Sequence, residues 1–159
     1  MAGCSVPDQP RTTFYSHGES VRVAPIRYCN PQGRECSNPN PQAVEDLVVP
    51  SGAPLQISVP EEVSAAPWQV VFRYRTDDGS LAEGRSPVFT PGQQHAYTLR
   101  FPRNEAPQRG ESSGARLERV EVQRYSASLT LGPEGGVQFG IGGSWAVDVQ
   151  PEPRTAVRP

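Results

Sequence analysis

The stretch Pro67-Trp68-Gln69-Val70-Val71-Phe72-Arg73-Tyr74-Arg75 decides the fold of this chain. Trp68, Val70, Phe72 and Tyr74 occupy every second position, and successive side chains of a strand point to opposite faces, so these four share one face. Gln69, Val71, Arg73 and Arg75 share the other. One apolar face and one mostly polar face is the pattern of an antiparallel strand packed on a core on one side and solvated on the other. The stretch is read as the centre of a β core, and nothing in it specifies a reaction.

Outward from this strand the same pattern repeats. Thr76-Asp77-Asp78-Gly79-Ser80 places Asp-Gly between two β patterns, a hairpin signal, and residues 81–89 supply the partner strand, which Pro87 demotes to an edge. After the turn Thr90-Pro91-Gly92-Gln93-Gln94, alternation resumes with Tyr97, Leu99 and Phe101 on one face. Upstream, Leu55, Ile57 and Val59 alternate with Gln56 and Ser58, whereas residues 44–49 fit either a short helical turn or a strand. Residues 11–29 read as a hairpin. Its first strand is Thr12-Thr13-Phe14-Tyr15-Ser16, its turn His17-Gly18-Glu19-Ser20, and its return strand is marked by Val21, Val23, Ile26 and Tyr28. The alternation slips at Pro25, which lacks a backbone donor and belongs at an edge or a bulge.

Towards the C-terminus, Leu117, Val120 and Val122 carry a strand through to Ser126-Ala127-Ser128-Leu129, with a change of parity after Leu117 that implies a bend. Beyond Gly132-Pro133-Glu134-Gly135-Gly136, the residues Val137, Phe139, Ile141, Trp145, Val147 and Val149 share one parity and are expected together in the core. Gly142-Gly143 within that strand marks a bulge or lets a ligand approach the backbone. Gly140-x-Gly142-Gly143 is no phosphate cradle, because no helix follows to meet the anion. Residues 102–114 contain no aliphatic side chain larger than Ala and are expected to form a long mobile loop.

The chain has 159 residues, which is one domain by length. Net charge is −2, and all 15 basic residues are arginine. With a pI near 5.7 there is no electrostatic footprint for DNA, RNA or an anionic membrane surface. The 18 prolines and 15 glycines are spread along the sequence, which suits short strands joined by turns and disfavours long helices. No apolar run approaches the roughly 18 residues of a transmembrane helix.

Three cysteines carry the clearest covalent signals. Cys29 and Cys36 enclose the polar, turn-forming Asn30-Pro31-Gln32-Gly33-Arg34-Glu35 and are expected to close a small disulfide loop, with a chain-entropy stabilisation of roughly 2–3 kcal/mol. Cys4 is then left over. It follows Met1-Ala2-Gly3 and precedes the polar Ser5-Val6-Pro7-Asp8-Gln9-Pro10, a context similar to the end of a bacterial lipoprotein signal, in which the cysteine receives the acyl groups. Residues 1–3 are read as a signal remnant and 4–11 as a flexible tether, with Cys4 the lipid-attachment residue. An ordinary chain start with an incidental cysteine is the competing reading. Metal binding by Cys29, Cys36, His17 and His95 is disfavoured by their spacing, and no cofactor is expected.

No nucleophile–base arrangement is legible, and no residue is assigned a catalytic role. Glu61 and Glu62 are read as part of a solvated loop, where adjacent side chains usually point apart. Asp77 and Asp78 lack the spaced oxygen ligands of a calcium loop. His95 has no serine, cysteine or carboxylate in a recognisable motif.

Several blocks together resemble a known family: the Ala2-Gly3-Cys4 start, Val21-Arg22-Val23-Ala24-Pro25-Ile26-Arg27-Tyr28-Cys29 with Cys36, Ile57-Ser58-Val59-Pro60, Pro67 through Tyr74, Gly84-Arg85-Ser86-Pro87-Val88-Phe89, Tyr97-Thr98-Leu99, and Val120-Glu121-Val122-Gln123-Arg124-Tyr125. The chain is similar to an actinobacterial family of secreted lipoproteins known only as a domain of unknown function. The resemblance covers residues 14–149, with 102–114 longer than the pattern. It implies an exported protein, lipid-anchored at the outer face of the cytoplasmic membrane, and transfers no catalytic residues.

The sequence therefore predicts an all-β domain over 12–150, an antiparallel β-sandwich of roughly eight strands and immunoglobulin-like by analogy, followed by a disordered tail at 151–159. Its expected role is a non-catalytic module that binds an envelope protein, peptide or lipid, with no nucleic-acid partner. The alternatives are a small envelope enzyme, assembled by folding from Glu61, Glu62, Asp77, Asp78 and His95, or a structural wall component.

Overall fold

The computed structural model describes residues 9–101, 115–131 and 135–151. Cys4, the 102–114 segment and residues 152–159 lie outside the described residues. In chain order the strands are β1 (Thr12–Ser16), β2 (Glu19–Val23), β3 (Arg27–Tyr28), β4 (Glu45–Val48), β5 (Leu55–Ser58), β6 (Trp68–Arg75), β7 (Leu81–Arg85), β8 (Ala96–Leu99), β9 (Arg116–Leu131) and β10 (Val137–Gln150). A 3-10 turn at Pro41–Ala43 precedes β4, and a single helical turn, α1 (Glu61–Ser64), follows β5. The two strands beyond the expected number are accounted for by β3, only two residues long, and by β4, which resolves the open choice between helical turn and strand at 44–49.

The strands form two sheets. One runs β2-β1-β5-β8 and the other β3-β10-β9-β6-β7, with β4 also on β10. All pairings are antiparallel except β4 with β10, which is parallel. Phe14, Val23, Leu55, Ile57 and Leu99 of the smaller sheet face Trp68, Val70, Phe72, Val120, Val122, Trp145 and Val147 of the larger one, all of them buried. The architecture is an all-β sandwich, and β6 sits inside the larger sheet between β9 and β7.

The predicted strand at 67–75 is correct, but its second face is less wet than alternation implies. Gln69 and Val71 are buried as well. Gln69 Nε2 donates to Tyr125 Oη at 2.7 Å and to Gln123 Oε1 at 3.3 Å, so the outer face is covered by a polar side-chain network rather than by water. Trp68 donates from Nε1 to the Gln94 carbonyl and packs on Phe89. Pro87 falls just beyond β7, which is the edge strand of its sheet.

Three further expectations are corrected. The 11–29 hairpin closes earlier: His17 and Gly18 both have positive φ, so they form the two-residue turn themselves and Glu19 and Ser20 already belong to β2. After Pro25 the chain leaves that sheet; Ile26 N–H donates to the Ser144 carbonyl, and Tyr28 pairs with β10 instead of with β1. Glu61 and Glu62 lie not in a loop but in α1, whose Val63 is buried beneath the sandwich. Near the end of the stretch read as a tether, the Pro10 carbonyl accepts from Trp145 Nε1 at 2.8 Å.

The largest correction concerns β10. Trp145 and Val147 are buried as predicted, but Val137, Phe139 and Ile141 are exposed. Ile141 pairs with Tyr125, whereas Gly143 pairs with Arg124, so β10 spends one extra residue at Gly142. In a strand with period two, one inserted residue sends every later side chain to the opposite face. Residues of equal parity before and after the bulge therefore point to opposite sides. The part of β10 before the bulge runs with the end of β9 as a two-stranded ribbon beyond the core.

Candidate functional site

The residues expected to carry chemistry are spread over the surface. Glu61 and Glu62 are exposed on α1, Asp77 and Asp78 at the β6–β7 hairpin, and His95 just before β8, where its carbonyl accepts from Val59. His17 is exposed in the β1–β2 turn. Asp78 is shaped by its turn: the Thr76 hydroxyl, and then the Ser80 backbone, donate to its carboxylate and lower its pKa from 3.8 to about 2. That is local turn chemistry, at a fully exposed position. Among the described residues no group of three or more His, Cys, Asp or Glu is placed to hold a metal ion. No described helix is long and apolar enough to cross a membrane.

Cys29 and Cys36 form a disulfide, with Cα atoms 3.9 Å apart. The loop between them is a compact turn in which Asn30 N–H donates to the Glu35 carbonyl and Arg34 N–H to Asn30 Oδ1. Cys29 is buried and its N–H donates to the Gly142 carbonyl, which ties this loop to the β10 bulge. The bridge is confined to one small loop and does not join the two sheets as in antibody domains. The spacing argument therefore locates a real covalent feature and a structural one.

That disulfide loop, α1 and the bulge meet at a residue sequence reasoning did not single out. Arg124 lies on β9 in the inward register of Val120 and Val122, and only 2% of it is exposed. Its Nη2 donates to the Cys29 carbonyl at 2.7 Å and to the Gly142 carbonyl at 2.9 Å; Nη1 reaches the Glu62 carbonyl at 3.3 Å. The guanidinium also lies over the Tyr28 ring, 4.8 Å from its centroid. Among the described residues it has no carboxylate partner, and its Nε is buried without any hydrogen bond. Arginine is seldom fully buried without an anionic partner, because desolvating its charge is costly. Three neutral carbonyls and a π face reduce that cost but leave the positive charge uncompensated.

Arg124 forms part of the wall of a cavity of about 330 Å³ at the end of the sandwich. The other walls are largely apolar: Pro31 of the disulfide loop, Ala65, Ala66 and Pro67 after α1, and Phe139 of the ribbon, with Tyr125 beside them. Glu62 also borders it, the sole member of the predicted acidic set to border either cavity described here. A second cavity, of about 410 Å³, lies towards the other end of β9, between Phe101, residues 115–118 and Val149. The signal that would have revealed Arg124 was present in the sequence: it continues the inward parity of Val120 and Val122.

Comparison with known proteins shows the family of this chain. The family described as protein of unknown function (DUF2771) matches residues 5–150. The chain belongs to the DUF2771 family. The chain is also similar to uncharacterised proteins of Mycobacterium bovis and of the CDC 1551 and H37Rv strains of Mycobacterium tuberculosis. Each is 38% identical over 109 residues, which is 68% of this chain and 62% of the relative. The alignment thus spans less than two thirds of those proteins. No solved structure matches the chain. Both the disulfide and Arg124 fall within the span matched to DUF2771.

Proposed function

We propose that this protein is exported, acylated at Cys4, held at the outer face of the cytoplasmic membrane, and acts there as a non-catalytic binding module for an envelope protein, peptide or lipid. The observation that carries the binding role is the buried Arg124, a cation without a carboxylate partner in the wall of a largely apolar cavity. Ligand sites combine this kind of apolar lining with a few convergent polar groups. Glu61, Glu62, Asp77, Asp78 and His95 support the non-catalytic reading by their dispersal over exposed positions, since acid–base catalysis needs such groups within hydrogen-bond reach of one reacting centre.

Export is supported by the cysteine arithmetic. Disulfides persist in oxidising compartments, Cys29 and Cys36 are paired, and lipidation accounts for the remaining Cys4 in its Ala2-Gly3-Cys4 context. One acyl chain holds a protein only marginally, so stable attachment requires the multiply acylated form. Replacing Cys4 by Ala should move the protein from the membrane fraction to the soluble fraction of the cells that make it. Unchanged fractionation of C4A would refute the anchor.

A further inference from the structure

The ribbon beyond the β10 bulge shows an apolar face to solvent. Val137 pairs with Leu131 and Ile141 with Tyr125, and directly paired residues of an antiparallel ladder share a face. Leu131 is 82% exposed, Val137 64%, Phe139 58% and Ile141 41%. Such contiguous exposure marks an interaction surface rather than a set of stray surface residues. Phe139 belongs to this face and also to the wall of the Arg124 cavity. An apolar track therefore runs from the ribbon end into a pocket that holds an uncompensated buried cation.

We propose that this site binds the carboxylate of a long-chain fatty acid, with the headgroup at Arg124 and the acyl chain along Phe139, Ile141, Val137 and Leu131. The assignment rests on the binding-module reading and names its ligand class. Charge complementarity selects an anion: three of the five guanidinium N–H groups are committed to carbonyls, and the Nε–H has no acceptor. A carboxylate brings one negative charge and two oxygens. A phosphate monoester would bring more charge and more acceptor oxygens than one arginine with the Tyr125 and Ser126 hydroxyls can match in a wall otherwise made largely of Pro31, Ala65, Ala66, Pro67, Ala127 and Phe139, and unsatisfied polar atoms are costly to bury. The open, apolar continuation suits an acyl chain better than a peptide, whose backbone amides would need their own partners. The cavity volume of about 330 Å³ is within the usual span of small-molecule sites, roughly 300–1,000 Å³. Glu62, which borders the pocket, gives Arg124 only its backbone carbonyl in this structure, so its exposed carboxylate is the group that opposes an incoming anion.

The test is titration of the purified full-length chain with palmitate below its aggregation threshold, followed by calorimetry and by native mass spectrometry. Saturable one-to-one binding is expected. Methyl palmitate, which keeps the chain and loses the charge, should bind at least about tenfold more weakly, because a charge-assisted hydrogen bond is lost. Acetate, which keeps the charge and loses the chain, should show no saturation. Arg124→Gln should abolish binding, but it also removes a buried group that bonds three carbonyls of the fold, so the surface pair Phe139→Ser with Ile141→Ser carries the decision. With its melting curve unchanged, it should weaken palmitate by about tenfold or more. Glu62→Gln should tighten binding.

Absence of saturable palmitate binding, equal affinity for methyl palmitate, or an unaffected Phe139/Ile141 variant would each overturn the proposal. A peptide or another lipid carried by the extracted protein, with no palmitate bound, would overturn the fatty-acid assignment and leave the anchored binding module standing. Failure of the C4A fractionation would do the reverse.

Discussion

The two halves of β10 use the same apolar side chains in opposite ways. After the bulge, Trp145 and Val147 pair with Val122 and Val120 and are fully buried, with the Trp145 indole bonded to Pro10. Before it, Val137, Phe139 and Ile141 carry equally apolar side chains into solvent. Hydrophobicity and parity are the same in both halves; one extra residue at Gly142, with a second register shift between Phe139 and Ile141, separates a core strand from an exposed ribbon. Apolar character thus serves stability in one half, and in the other it is left available for binding.

The sharpest break of this comparison is a pair of truncations. Trp145→Ala should destabilise the fold by about 3–5 kcal/mol, whereas Phe139→Ser should change stability by no more than about 0.5 kcal/mol, both measured by urea unfolding. Equal losses would mean that the ribbon is part of the core. Next in size is Gly142→Ala. A Cβ there would stand 2.8 Å from Ser126 Cβ and 3.0 Å from Arg124 Nη2, and overpacking of this kind costs about 1–3 kcal/mol. If the variant is as stable as the parent, the bulge is not held as tightly as the packing indicates.

A smaller effect separates the two buried side-chain polar atoms that lack partners among the described residues, Thr12 Oγ1 and Arg124 Nε. Thr12 lines neither of the two cavities, so its hydroxyl is a plain cost, and Thr12→Val should stabilise the protein by about 1 kcal/mol. Calorimetric melting decides this, and a lower melting temperature would show that the hydroxyl is satisfied after all.

The smallest effect uses the β6–β7 hairpin as the polar counterpart of the ribbon. The Asp78 carboxyl, held near 2 against an ordinary 3.8, contributes stability that is present above pH 3.8 and is lost as pH falls through about 2. Because Asp78 is fully exposed, the change should be seen in its own titration rather than in global unfolding. A carboxyl NMR midpoint near 2, returning towards 3.8 in Thr76→Val, is expected. A midpoint near 3.8 in the parent would contradict the turn geometry.

Much of the sandwich was legible because alternation is a local property. Trp68, Val70 and Phe72, and likewise Leu55 and Ile57, announce their inward face within a few residues. The disulfide was legible from the spacing of Cys29 and Cys36 and the turn chemistry between them. Other features depend on long-range placement. Gln69 is buried because Gln123 and Tyr125, from another strand, lie over it. The single turn of α1 is too short to display helical periodicity. The bulge was flagged by Gly142-Gly143, but its consequence for Phe139 and Ile141 follows only from the pairing register. Arg124 was the most instructive omission: its inward parity was visible, yet its lack of an acidic partner is a fact of the folded molecule.

Native mass spectrometry of the full-length protein, gently extracted from the cells that make it, tests the anchor and the anion site at once. Acyl groups on Cys4 and one fatty acid bound per chain are expected. A bare chain with a free Cys4 thiol and nothing bound would contradict both proposals.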